Sequence, residues 1–375
     1  MKYIEEFRNQ SVAQALCRAI VHSMQPDRIY RIMEFCGGHT HTIHRYGLPS
    51  LLPRNIELIH GPGCPVCVLP IGRLDTAMAL ASMPQTIFCS YADILRVPGS
   101  QQRSLLHVKA EGADIRMVYS VEHALQMARD NPGREVIFFA IGFETTTPPT
   151  AYAIAQAARE NLRNFSVFCN HVLTPVAMAA LLEDQQTIDS GSLLDGFIGP
   201  SHVSIVIGSD AYLAVSQRYQ KPIVIAGFEP LDVLQSILML VKQINQGLYT
   251  VENQYTRAVT ARGNPVSQQM IAETLEVRSQ FAWRGLGDIP ASGLQIREAY
   301  AHWDTEKRFP RIEKEGKEHP HCACSAILRG HKKPLDCQLF ATACTPQNPL
   351  GSCMVSSEGA CAAVYAYGRG VIAHA

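Results

Sequence analysis

The sequence predicts an α/β fold with two similar parallel-sheet domains and a smaller C-terminal domain organised by cysteines. Three observations carry that expectation. Short apolar, β-rich runs alternate with helix-period segments through residues 30–254, the pattern of parallel α/β sheets. The runs fall into two series of four. Six of the 12 cysteines lie in the last 54 of the 375 residues, where an even scatter would put fewer than two.

Taken in order, residues 3–24 have helical periodicity and stop before Pro26. The first series of strands is predicted at Tyr30–Phe35, Glu57–His60, Thr86–Cys89 and Ile115–Tyr119, with helices over 72–83 and 121–130. The second is predicted at Val136–Ile141, Ser166–Asn170, Gly196–Ile198 and Pro222–Ala226, with helices over 150–162, 175–185 and 230–245. The first strand of each series runs into a Gly- and Thr-containing turn, MEFCGGHT at 33–40 and FAIGFETT at 139–146. That echo supports a duplication. The expected domains are therefore 30–134, then 1–29 together with 135–254, then 255–375. From about Tyr255, Gly, Pro and isolated charges dominate. The mixed-charge run at 305–321 reads as a solvated face, and SSEGACAAVYAYGRG at 356–370 reads as a short closing helix bearing Cys361. In open α/β sheets ligands bind beyond the carboxyl ends of the strands, so the unusual loops, all of which follow strands, are expected on one side.

Composition excludes several classes. Lys+Arg and Asp+Glu both number 33, and a nucleic-acid binder would show a basic excess. No apolar run approaches the ~18 residues of a membrane span, and the MKYIEEFRNQ start lacks the pattern of a signal peptide. A cytoplasmic protein is expected. Clustered cysteines in such a chain read as metal or redox chemistry rather than structural disulfides.

Four motifs carry that chemistry. At the C-terminus, Cys322, Cys337, Cys344 and Cys361 could supply the four thiolates of a 4Fe-4S cluster. Structural zinc is the rival, although zinc sites usually show two close pairs and only the C-x-C of Cys322 and Cys324 is present. Cys324 and Cys353 remain, free to form a disulfide beside the cluster. In IHGPGCPVC, Cys64 and Cys67 form a C-x-x-C ahead of a helical pattern. Helix-terminal N–H groups there would lower a thiol pKa and suit disulfide exchange, and the pair could also chelate a metal. In EFCGGHTHTIH, a thiolate at Cys36 with an imidazole at His39 suits iron. One turn cannot aim His39, His41 and His44 at the same ion, so His41 and His44 are equally readable as loop-bonding residues. In AIGFETTTPP, Glu144 is either a helix cap or a carboxylate over the cleft acting as proton donor or anchor. Neither glycine loop has the G-x-x-x-x-G-K-[ST] pattern of a nucleotide site. Cys17, Cys89 and Cys169 sit in apolar contexts and read as core.

Together CGGHTH at 36–41, GPGCPVC at 61–67, GFETT at 142–146 and Cys-x₁₄-Cys-x₆-Cys-x₁₆-Cys from Cys322 to Cys361 resemble one family, the HypD hydrogenase maturation factors. The resemblance spans nearly the whole chain. It implies two similar α/β domains plus an iron–sulfur domain. It also implies work on the Fe(CN)₂CO unit of nickel–iron hydrogenases, with HypC as chaperone partner and HypE as donor of cyanide from a thiocyanate. By position, Cys36 and His39 would hold the iron being decorated, and Cys64 and Cys67 would be a redox pair that can also help hold iron. Cys322, Cys337, Cys344 and Cys361 would bind the cluster that resets the pair. The alternative is a free-standing iron–sulfur disulfide reductase of the ferredoxin–thioredoxin type, and a third possibility is a zinc-stabilised binding module.

Overall fold

The structure is a computed structural model that describes residues 5–184, 194–310, 312, 314 and 316–368. Residues 3–4 of the predicted first helix, 185 of the helix over 175–185, 311, 313 and 315 of the charged run, and 369–370 of the closing helix lie outside them. Two parallel sheets form the body. The first contains β1 (Tyr30–Glu34) and β2 (Ile56–His60), and the second contains β3 (Thr86–Ser90), β4 (Asp114–Met117), β5 (Glu135–Gly142) and β6 (Phe165–His171). The chain then returns to the first sheet with β7 (Gly196–Gly199), β8 (Ile223–Ile225) and β9 (Val251–Asn253). The sheet orders are β2-β1-β7-β8-β9 and β4-β3-β5-β6, with every pairing parallel.

Strands β3, β5 and β6 are near-continuous apolar runs because both faces are covered. All of β3 and β6 is buried, as is all of β5 after Glu135. On the outer face of the first sheet, helices Gln10–Ser23 and Pro230–Gln246 close a cluster that includes Ile20, Tyr30, Ile32, Leu234 and Ile237. The first helix starts at Asn9, whose side chain accepts from the Ser11 and Val12 N–H groups. The second starts with Pro230 behind a reciprocal Glu229–Asp232 cap and ends at Gly247 in the left-handed conformation, φ 64°. Between the sheets a second cluster joins Met33, Phe35 and Phe197 to Phe88, Phe139 and Phe168, and it includes Cys64, Cys67, Cys324, Cys344, Cys353 and Cys361. The cysteine-rich segment is thus part of the central core.

The strands do not divide as the two sequence series suggest. β3 and β4 pair with β5 and β6, while β7 inserts beside β1. A domain covering 30–134 therefore does not correspond to either sheet. A parallel crossover needs a dozen or more residues but has no upper limit, so strand order along the chain does not by itself fix which sheet each strand joins. The region after Tyr255 also contains an antiparallel hairpin, β10 (Leu275–Trp283) and β11 (Gly287–Ile296), which the sequence reading missed. Its signal is masked by Pro290, Gly293 and a register irregularity at Arg278–Gln280. The hairpin packs on β6, with an isolated bridge between Val172 and Gly293. No helix among the described residues is long and apolar enough to cross a membrane.

Candidate functional site

Each sheet has one switch point, where strand order reverses and a crevice opens beyond the carboxyl ends. In the first sheet it lies between β1 and β7, and in the second between β3 and β5. One cleft of ≈ 500 Å³ touches both. Its lining combines Phe35 and Cys36 after β1, Pro200, His202 and Val203 after β7, Tyr91 and Asp93 after β3, and Gly142, Phe143, Thr145 and Thr146 around the end of β5. Gly63, Pro65 and Val66 close one side, and Ser356–Glu358 from the C-terminal region close another. The echoed turns CGGHT and GFETT thus face each other across this cleft.

Cys36 is the N-cap residue of helix Gly37–Arg45 and is partly exposed to the cleft. Its backbone N–H donates to Glu34 Oε2 at 3.0 Å. Burial pushes its thiol pKa up, and the Glu358 and Glu34 carboxylates push it further, so the sulfur ionises readily only when a cation meets it. Glu358 comes so close to the turn that a Cβ on Gly37 would stand 2.2 Å from the Glu358 Cβ and 2.9 Å from its carbonyl oxygen. Gly63 is equally confined, with its missing Cβ 2.4 Å from the Cys36 nitrogen. Both glycines are required by close approach rather than by a turn.

The three histidines leave the helix in different directions. His39 is fully buried, and its Nε2 stands 3.1 Å from the carbonyl oxygens of both Ala226 and Gly227. Two acceptors fix the proton on Nε2 and leave an unprotonated Nδ1, which has no hydrogen-bond partner among the described residues. Burial lowers the His39 pKa to about 4, so the ring is neutral and can act as a ligand. His41 Nε2 meets the Tyr367 hydroxyl at 2.9 Å. His44 Nε2 lies 2.9 Å from His60 Nε2, and burial lowers its pKa to about 3.

Two residues here went unnoticed in the sequence. The β1–β2 register pairs Glu34 with His60, bringing His60 Nδ1 to 2.9 Å from Glu34 Oε1. Thr40 also donates to Glu34. Burial raises the Glu34 pKa against the opposing pull of His60. The available signal was a carboxylate closing the apolar run YRIME.

Glu144 does not line the cleft, although its neighbours Phe143, Thr145 and Thr146 do. It is buried and accepts from the Thr174 N–H at 2.9 Å and the Thr174 hydroxyl at 2.8 Å. The carboxylate therefore caps the start of helix Thr174–Glu183 rather than its own helix, which begins after Thr146. Burial raises its pKa to about 7. The folded chain then binds a proton here that the unfolded chain releases near the ordinary 4.5. The stability this group confers is full below that value and is lost as pH rises through about 7. Glu144→Gln should flatten this part of the stability profile. Denaturant midpoints at about pH 5 and about pH 8 check it, and an unchanged pH dependence in the variant would refute the assignment.

The C-x-x-C sits where predicted, at the start of the short helix Pro65–Val68, and the Cys67 N–H points at Cys64 Sγ over 3.3 Å. Both residues are buried, however, and burial raises the Cys67 pKa instead of lowering it. The pair is the beginning of a line of sulfurs. Cys67 is within hydrogen-bonding reach of Cys64 and Cys353, Cys353 of Cys324, and Cys324 of Cys322. Ser352 ties the line together, with its hydroxyl donating to the Cys67 carbonyl at 3.1 Å and lying 3.7 Å from Cys324 Sγ. Along it Cys324 is the thiol whose pKa falls. Its pKa is lowered chiefly by hydrogen bonds from Cys322 and Cys353, whose own pKa values rise. Cys324 and Cys353 are neighbouring free thiols in this structure, as are all 12 cysteines.

Cys361, at the start of helix Ala360–Tyr367, feels the charges of Cys324, Cys344 and Cys337. With Cys322 beside Cys324, the four predicted cluster thiols gather around one place. A Cβ on Gly351 would stand 2.6 Å from Cys322 Sγ, so the glycine makes room for that sulfur. The donor set is all soft thiol, which fits a 4Fe-4S cluster. Among the described residues no group of three or more His, Cys, Asp or Glu side chains is arranged to hold a single metal ion. A cluster needs wider spacing than one ion, because each thiolate binds a different iron. Cys17, Cys89 and Cys169 lie in the helix Gln10–Ser23, β3 and β6, away from this group.

Comparisons with known proteins agree with the motifs. A family model described as HypD, hydrogenase formation hypA family, matches residues 11–368. The hydrogenase maturation factor HypD of Azotobacter vinelandii is 60% identical over 369 residues, covering 98% of this chain and 97% of that protein. HypD2 of Bradyrhizobium diazoefficiens is 58% identical over 370 residues, with 98% and 97% covered. The Escherichia coli K12 factor is 46% identical over 372 residues, with 98% of each chain covered. With the matched model covering both sheets and the cysteine-rich segment, this chain belongs to the HypD family of hydrogenase maturation factors.

Proposed function

We propose that the chain is a cytoplasmic scaffold and thiol-redox site on which the Fe(CN)₂CO unit of nickel–iron hydrogenases is assembled. The observation that carries this reading is the convergence of Cys36 and the Cys64–Cys67 loop on one cleft between two switch points, with the C-terminal cysteines reached from that loop through Cys67 and Cys353. The iron is the cargo. Cys36 presents a thiolate to it from the cleft wall, and the unpaired Nδ1 of His39 is the second ligand this chain offers. Two ligands leave most of the iron's coordination to others, which suits a shared site with a thiol of a HypC-type chaperone. A pocket of this size, open to solvent and lined by Tyr119 and Met117 at its rim, admits a partner's chain terminus.

Cyanide arrives as a thiocyanate on a HypE-type donor. Releasing it takes two electrons: RSCN and the two thiols of Cys64 and Cys67 give RSH, cyanide, one proton and the Cys64–Cys67 disulfide. Cys353, beside Cys67, then exchanges with that disulfide, and Cys324 resolves it. Cys322, Cys337, Cys344 and Cys361 would hold a 4Fe-4S cluster, which when bound would supply the electrons that return the Cys324–Cys353 disulfide to two thiols. Cys36 and His39 hold the iron while this happens. Apolar walls at Phe35, Val66 and Phe143 limit the water that competes for its open positions.

The experiment is an infrared spectrum of protein purified anaerobically with its HypC and HypE partners, with iron and sulfide assayed on the same sample. Cyanide and carbonyl bands with equimolar cluster support the scaffold. Cluster without bands favours the disulfide reductase, and zinc without sulfide sinks both. A separate result is expected at Cys324 and Cys353: alkylatable as thiols in the reduced protein, they should become protected together after mild oxidation. If both remain alkylatable, the exchange step is wrong.

A further inference from the structure

The tip of the β10–β11 hairpin is clamped between the two thiol sites. The Arg284 N–H donates to the Val68 carbonyl at 2.7 Å, one residue beyond Cys67. Gly285, at φ 83°, lies against helix Cys324–Leu328, where an added Cβ would meet Ser325 Cα at 2.9 Å. Arg329 closes the clamp by donating to the Gly285 carbonyl. Held this way, the Arg284 side chain is forced inward, and the residue is only 5% exposed.

Its guanidinium is poorly matched there. The carboxylate recorded beside it, Glu318, stands 3.9 Å from Nε, beyond hydrogen-bond distance, and is 44% exposed. Nε and Nη2 have no hydrogen-bond partner among the described residues. A buried cation whose neighbouring carboxylate is half-exposed and out of hydrogen-bond reach is unfavourable unless a closer anion meets it. The contact of Gly285 with Ser325 sets Arg284 beside Cys324, two residues from Cys322, and its positive charge acts on the Cys324 sulfur. Four thiolates around an iron–sulfur core bring net negative charge to that place, and reduction adds one more.

We propose that Arg284 is the buried counter-charge of the C-terminal iron–sulfur site and holds its reduction potential up. The inference rests on the cluster assignment made above but concerns a residue outside the ligand set. In a low-dielectric interior a fixed positive charge stabilises the reduced, more negative form more than the oxidised one. Unused N–H donors add to this, since hydrogen bonds to cluster sulfurs raise the potential as well. Arg284 is a positioning and tuning residue and touches neither the iron cargo nor the cyanide donor.

The test is a redox titration of the anaerobically purified full-length protein, following the spin signal of the reduced cluster, with iron and sulfide assayed first. Arg284→Gln should lower the equilibrium constant for cluster reduction about tenfold, a shift of about 59 mV for one electron. Arg284→Lys, which keeps the charge but not the fork, should recover most of it. Glu318→Gln leaves Arg284 in place and removes the opposing carboxylate, so the potential should rise by a smaller amount. An unmoved potential in Arg284→Gln overturns the proposal. If that variant holds no cluster, an unmoved potential in Glu318→Gln overturns it. Wild-type protein without sulfide would instead remove the cluster assignment, and the counter-charge with it.

Discussion

Replacing Cys36 by alanine should take hydrogenase maturation to background while leaving the chain folded. The sulfur lies at the cleft wall and its removal opens space to solvent, so little packing is lost. What holds the turn is independent of that sulfur. The residue 36 N–H still donates to Glu34, and the Gly37 N–H still donates to the Gly63 carbonyl at 3.1 Å. Cys64 and Cys67 keep their mutual contact and their neighbour Cys353. The variant should therefore lose the cyanide and carbonyl bands yet retain the same number of alkylatable thiols, less one, and the same unfolding midpoint. Persistence of the bands would show that the iron is held elsewhere on the chain. A lowered midpoint would show that the sulfur has a packing role instead.

Gly63→Ala should damage both stability and function through one added methyl group. The added methyl would stand 2.4 Å from the Cys36 nitrogen and 2.6 Å from both Cys36 Cα and the Phe35 carbonyl carbon. All three are backbone atoms at the end of β1 that cannot rotate away, so the two loops must separate. Overpacking of this kind costs about 1–3 kcal/mol. The separation also moves the C-x-x-C away from Cys36, so activity should fall further than the stability loss explains. Gly133→Ala is the matched control, because nothing lies within 4 Å of its added Cβ. Denaturant unfolding and maturation activity of the two variants, measured side by side, check the claim. Equal behaviour would mean that the close approach of these loops has no functional weight.

Much of the chemistry was legible in the chain because it is local. The alternation of apolar runs and helical segments, the turn after β1 and the C-x-x-C ahead of a short helix all depend on residues a few positions apart. The apolar run VIFFAIG of β5 announces a strand covered on both faces, and the density of cysteines after Cys322 announces a soft-metal or redox site. Glu144 shows where this fails. Its neighbours made it a plausible cap for the following helix, yet its carboxylate meets Thr174, thirty residues away in the chain. Glu34 and His60 were invisible for a related reason. Neither is unusual alone, and only the β1–β2 register makes them partners.

The sequence by itself determined the α/β class, the loops that carry chemistry and the thiols that could act. Periodicity and residue type are properties of short segments, and a strand or turn needs no distant contact to be recognised. The tertiary structure decided which strands share a sheet, that both switch points open on one cleft, and that sulfurs from Cys64 to Cys322 form a single line. It also decided that Arg284 ends buried beside them. These are choices among distant segments, made by burying their apolar faces together, and no local pattern records the outcome.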